Sequence, residues 1–103
     1  SKNMILSANG QNIYPEEIEA VVNNQPYVIE SVVVDRGAKL VALIYMDAEA
    51  MKAAGVDAEA YKATLMAEVN ASMPAYSKIG VVEIMAKPFE KTPKMSIKRF
   101  MYK

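Results

Sequence analysis

Cysteine, histidine and tryptophan are all absent from the 103 residues. Without cysteine there is no disulfide, no thiolate metal site and no thiol nucleophile. Without histidine there is no Ser–His or Cys–His catalysis and no imidazole acid–base pair. Four glycines leave no glycine-rich phosphate loop. No apolar run approaches the roughly 18 residues that a membrane span needs. No basic-then-apolar leader with a small-residue cleavage site opens the chain, so a cytoplasmic location is expected. Hydrolases that rely on histidine or cysteine, and metal centres ligated by them, are therefore not expected. What remains is a length suited to one small domain and a 52% hydrophobic content that can build a core.

The zero net charge hides an uneven distribution. Residues 1–86 hold 6 basic and 11 acidic side chains, a balance of −5. Residues 87–103 hold Lys87, Lys91, Lys94, Lys98, Arg99 and Lys103 against Glu90, a balance of +5. A basic tail on an acidic body is either a solvated face or a site for a phosphate or carboxylate. Nucleic acid is not expected as a partner, because the acidic body would repel it.

Met4-Ile5-Leu6 and Gln11-Asn12-Ile13-Tyr14 flank Asn9-Gly10, a two-residue turn signal, and predict a short N-terminal hairpin. Pro15 suits the first position of a helix, with Glu16 and Glu17 at its positive end. Ile18, Val21 and Val22 give that helix one apolar stripe. Val28–Asp35 and Lys39–Met46 read as paired strands around a Gly37 turn. Asp47 and Asp57 can each cap a helix; Gly55 closes the first, and Tyr61, Leu65, Val69 and Met73, with Met66, stripe the second. Ile79–Met85 is a last strand. The expected fold is α+β: helices packed on one face of a small, largely antiparallel sheet, preceded by the hairpin. The tail, with few apolar residues, is expected to run along the surface or across a partner rather than pack deeply.

Two stretches are more specific than periodicity. The segment from Lys2-Asn3-Met4-Ile5 through Asn12-Ile13-Tyr14-Pro15-Glu16-Glu17-Ile18-Glu19 resembles K-D-x-I-x-x-x-G-x-N-I-x-P-x-E-I-E. That pattern opens the C-terminal domain of adenylate-forming enzymes, among them acyl- and aryl-CoA synthetases. The segment Lys91-Thr92-Pro93-Lys94-Met95-Ser96-Ile97-Lys98-Arg99 resembles their closing P-K-T-x-x-G-K-[IL]-x-R. The resemblance covers essentially the whole chain. The wording from Asn12 to Glu19 is most like the fatty-acyl-CoA ligases.

The resemblance implies that residues 1–103 are the lid of a larger ligase, inactive alone, with Lys2 at the hinge. The phosphate loop, adenine site and acyl pocket would lie in an N-terminal adenylation domain, which becomes the lid's partner. A fatty or aryl carboxylic acid, ATP and CoA are the implied substrates, and Mg2+ is expected on the missing domain. In the first step a carboxylate attacks the α-phosphate of ATP, giving acyl-adenylate and pyrophosphate. In the second the CoA thiol attacks the acyl carbon and AMP leaves. The tail lysine serves the first step. The lid then rotates, and the turn near Gly10, with Gln11, Asn12 and Tyr14, helps form the CoA channel. Tyr14 alternatively packs within the hairpin.

The match departs from the pattern in the tail. Aligned on Lys91-Thr92, the family's glycine falls at Met95 and its catalytic lysine at Ser96. In an extended segment residues 94, 96 and 98 share one side, about 6.5–7 Å apart, within reach of a lysine side chain. Lys94 and Lys98 are the candidate replacements, with loss of the lysine as the alternative. Ser7, Ser72 and Ser96 have no base partner. Glu16, Glu17 and Glu19 suit a helix start better than a catalytic pair. The competing reading of the chain is a free-standing α+β anion-binding or interaction module without catalysis.

Overall fold

Pro15 begins the first helix of the computed structural model, which describes residues 3–103. Lys2, the expected hinge, lies outside the described residues. Ahead of that helix, β1 (Ile5–Leu6) and β2 (Asn12–Ile13) pair antiparallel, with Ile5 opposite Ile13. Their loop is longer than the expected Asn9-Gly10 turn. Ser7 N–H donates to Gln11 O at 2.9 Å, Gly10 N–H to Ser7 O at 3.0 Å, and Gln11 N–H to Ser7 Oγ at 2.9 Å. The Ser7 hydroxyl captures an amide and widens the loop, as serine does in turns. Gly10 closes it at φ +79, where glycine meets no Cβ penalty.

Helix α1 (Pro15–Asn23) carries Glu16 and Glu17 in its first turn and buries Ile18 and Val22. Strands β3 (Val28–Arg36) and β4 (Lys39–Met46) pair antiparallel from Val28/Met46 to Arg36/Lys39. Asp47 caps α2 (Ala48–Ala54) by accepting from Ala50 N–H at 3.0 Å, and Gly55 ends it. Asp57 caps α3 (Ala58–Ala71) by accepting from Ala60 N–H at 2.9 Å. Both caps are those expected from the sequence. Strand β5 (Ile79–Ile84) then pairs with β4 in parallel. The sheet is therefore mixed, in the order β3-β4-β5. Two helices intervene between β4 and β5, and such a crossover returns the chain in the same direction.

The central strand β4 is buried continuously from Leu40 to Ile44, so both faces of the sheet need a cover. On one face Val33, Ala42 and Ile44 pack with Ile18 and Val22 of α1 and with Leu65 and Val69 of α3. On the other, Val32, Val34, Val41 and Leu43 pack under Phe89, which is 3% exposed. Phe89 meets Tyr102 edge-on, with ring centroids 4.9 Å apart. Phe89 is the one buried residue of the tail, a burial not foreseen from the sequence, while the rest of residues 87–103 follows the expected surface path. Burying that phenylalanine contributes about 1.5–3 kcal/mol. Among the described residues no helix is long and apolar enough to cross a membrane.

Candidate functional site

The basic tail folds back on itself rather than extending. Lys91 and Ile97 form an antiparallel bridge, and Lys98 N–H donates to Glu90 O at 2.8 Å. Between them Thr92 N–H donates to Ser96 O and Met95 N–H to Thr92 O, both at 2.8 Å. Ser96 N–H reaches Thr92 Oγ1 at 3.2 Å. Met95, where the family pattern has glycine, adopts φ +67. The backbone thus takes a left-handed position although the residue is not glycine.

This turn changes the expected relation among the three lysine positions. Lys94 sits at the corner of the turn, so residues 94, 96 and 98 do not share the side of one extended strand. Ser96 and Lys98 flank Ile97, whose side chain packs on the sheet. Strand alternation sends those two the other way. Pro93 and the Thr92 hydroxyl account for the bend, because both favour turns.

The tail's cations fall into two groups. Lys91 Nζ pairs with Glu30 at 2.9 Å and donates to Phe89 O at 3.3 Å. Arg99 donates to both carboxylate oxygens of Glu19, through Nη1 at 2.8 Å and through Nη2. That hydrogen bonding raises the Arg99 pKa above its ordinary value. Among the described residues the side chains of Lys87, Lys94 and Lys98 make no ion pair or hydrogen bond. Lys94 and Lys98, the two candidates, are thus uncommitted charges on either side of Ser96.

The other candidates lie around the N-terminal turn. Gly10 and Gln11 are exposed. A Cβ at Gly10 would meet no atom within 4 Å, so its own domain leaves room there and only φ constrains it. Asn12 and Tyr14 line an open groove of about 310 Å³ with Ser72 and Met73. Tyr14 is half-buried at the start of α1. Ser7, Ala8 and Asn9 line a second groove of about 290 Å³ with Lys39 and Lys78. Tyr76 borders both grooves and is 39% exposed. Sequence reasoning passed over Tyr76, which stands in a short 3-10 turn with no periodic signal. It also passed over Glu19 and Glu30 as partners of the tail. Their signals were a carboxylate beside the buried stripe of α1 and a charge between Ile29 and the Val32-Val33-Val34 run of β3.

The family model described as AMP-binding enzyme C-terminal domain matches residues 2–102. No curated protein matches the sequence. Among solved structures, a fatty acyl CoA synthetase from Mycobacterium tuberculosis is 25% identical with a TM-score of 0.72, over 97% of this chain and 19% of that one. The anthranilate CoA ligase AuaEII in complex with anthranoyl-AMP is 23% identical with a TM-score of 0.80, over 96% of this chain and 18% of that one. A benzoate CoA ligase from Burkholderia xenovorans is 22% identical with a TM-score of 0.68, over 95% and 22% respectively. The chain spans about a fifth of the length of each.

Proposed function

The chain belongs to the family of AMP-binding enzyme C-terminal domains, and on that premise we propose that it is the mobile lid of an ATP-dependent fatty-acyl-CoA ligase. The observation that carries the reading is the family match over residues 2–102 in a chain that spans about a fifth of its solved neighbours. A domain of this size is one wall of a cleft, and its partner is an N-terminal adenylation domain. A fatty acid is preferred over an aryl acid because the Asn12–Glu19 wording resembles the fatty-acyl ligases. ATP and CoA are the co-substrates, and Mg2+ bound by the partner domain accompanies ATP. Lys2 is the hinge, and the enzyme is cytoplasmic.

In this reading Lys94 or Lys98 approaches the carboxylate and the α-phosphate during adenylation. Two anions meet there, and a cation placed between them lowers the barrier by several kcal/mol in a water-poor cleft. Lys94 has the better claim, because it occupies the corner of an anchored turn. For thioester formation the lid turns, and Gly10, Gln11, Asn12 and Tyr14 border the path of the CoA thiol. A bare glycine with open space around it suits a surface that a slender chain must pass.

The test is pyrophosphate release from ATP by the full-length protein, assayed across fatty and aryl acids with and without CoA. Release that depends on a fatty acid, and none from residues 1–103 alone, is the expected result. Release by the isolated chain, or none by the full-length protein with any carboxylic acid, contradicts the reading. An anion-binding module without catalysis would give the second outcome.

A further inference from the structure

Two carboxylates of the acidic body reach the tail on either side of the Thr92–Ser96 turn. Before the turn, Glu30 of β3 pairs with Lys91 at 2.9 Å and also accepts from Phe89 N–H at 3.0 Å. After it, Glu19 of α1 binds Arg99 through both oxygens and accepts from Val33 N–H at 2.7 Å. Glu19 is 5% exposed, and it lies 80 residues from its partner. Each carboxylate therefore ties one arm of the turn to a rigid element of the fold. The five residues between Lys91 and Ile97 are held only by the turn's own hydrogen bonds.

We propose that Glu19 and Glu30 are positioning residues that clamp the two arms of the tail turn, so that Lys94 and Lys98 are presented at a fixed place for the adenylation step. The inference rests on the lid reading above. Its physical basis is that charge stabilisation depends on placement: a misplacement of about 1 Å can cost 10²-fold in rate. A partly buried, doubly hydrogen-bonded Arg–carboxylate pair is more rigid than an exposed, singly bonded one. The clamp also explains why the basic tail divides as it does. Lys91 and Arg99 are spent on attachment, and the lysines between and beside them are left uncommitted.

The experiment compares Glu30→Gln, Glu19→Gln and Lys91→Arg in the full-length enzyme. Glutamine at 19 can still accept from Val33 N–H, which protects the fold. Glu30 lies at a more accessible site and supplies a second variant should the first fail to fold. Two readouts are taken: hydrogen exchange at the Met95 and Ser96 amides, and the two half-reactions separately. The expected result for Glu30→Gln is faster exchange at both amides and a 10- to 100-fold slower pyrophosphate exchange. Thioester formation from supplied acyl-adenylate should stay within about twofold, a split that general loss of structure would not produce. Lys91→Arg, which keeps the pair, should behave as wild type. Unchanged amide exchange overturns the clamp, whatever the activity. Faster exchange with undiminished adenylation, or equal losses in both half-reactions, overturns its positioning role. A wild-type enzyme without any acid-dependent pyrophosphate release contradicts the lid reading instead, and the clamp is then decided by amide exchange alone.

Discussion

Two turns at opposite ends of the chain are built to one plan. In Ser7–Gln11 and in Thr92–Ser96 a hydroxyl residue starts the turn, its N–H donates to the carbonyl four residues on, and its side-chain oxygen accepts from that residue's N–H. Each has its fourth residue in the left-handed region, Gly10 at φ +79 and Met95 at φ +67. This is the three-residue hairpin loop with a left-handed closing residue. The difference lies in that closing residue. Gly10 occupies it without strain. Met95, 72% exposed, gains no packing to offset a cost of about 1–2 kcal/mol. The family pattern has glycine at both places. The tail of this chain therefore departs from the pattern at three positions, Glu90, Met95 and Ser96, while its turn still closes in the left-handed region.

The comparison is broken most severely by removing the tail's free charge. Lys94→Ala in the full-length enzyme should slow pyrophosphate exchange by roughly 10²–10³-fold, the usual effect of losing one charge-stabilising donor. Lys98→Ala is the control, and a larger loss there would move the assignment by four residues. Full exchange in both variants would reduce the tail to a solvated charge run. A large gain from Ser96→Lys would mean that the family lysine was lost and never replaced.

A smaller effect sharpens the comparison of the turns themselves. Met95→Gly should stabilise residues 1–103 by about 0.5–1 kcal/mol, strain relief being partly offset by the entropy of glycine. Gly10→Ala should destabilise by about 1 kcal/mol, because alanine there adopts a left-handed φ. Thermal melts read both changes, at about 4–8 °C per kcal/mol for a domain of this size. Shifts of the same sign would show that the two turns are not equivalent.

Much of the fold was legible because its signals are local. Pro15 with Glu16 and Glu17, the caps Asp47 and Asp57, and the Gly37 turn each act on backbone within a few residues. The parallel pairing of β5 was not legible, since strand direction depends on where α2 and α3 lead the chain. The burial of Phe89 was missed for a related reason. Its environment is made by Val32, Val34, Val41 and Leu43, more than 45 residues away. The candidate residues were named through motif resemblance, but their arrangement was not. An extended reading of 94, 96 and 98 ignored Pro93 and the Thr92 hydroxyl, which together bend the segment. Glu19 and Glu30 could be seen as misplaced charges, yet nothing in the sequence pairs them with Arg99 and Lys91.

The central claim is that the two turns serve opposite half-reactions. The direct measurement sets Gly10→Leu against Lys94→Ala in the full-length enzyme, with pyrophosphate exchange and acyl-CoA formation from supplied acyl-adenylate measured for each. A crossed pattern is predicted: Lys94→Ala loses exchange and keeps thioester formation, while Gly10→Leu does the reverse. Parallel losses in both variants would contradict the claim and assign the turns a purely structural role.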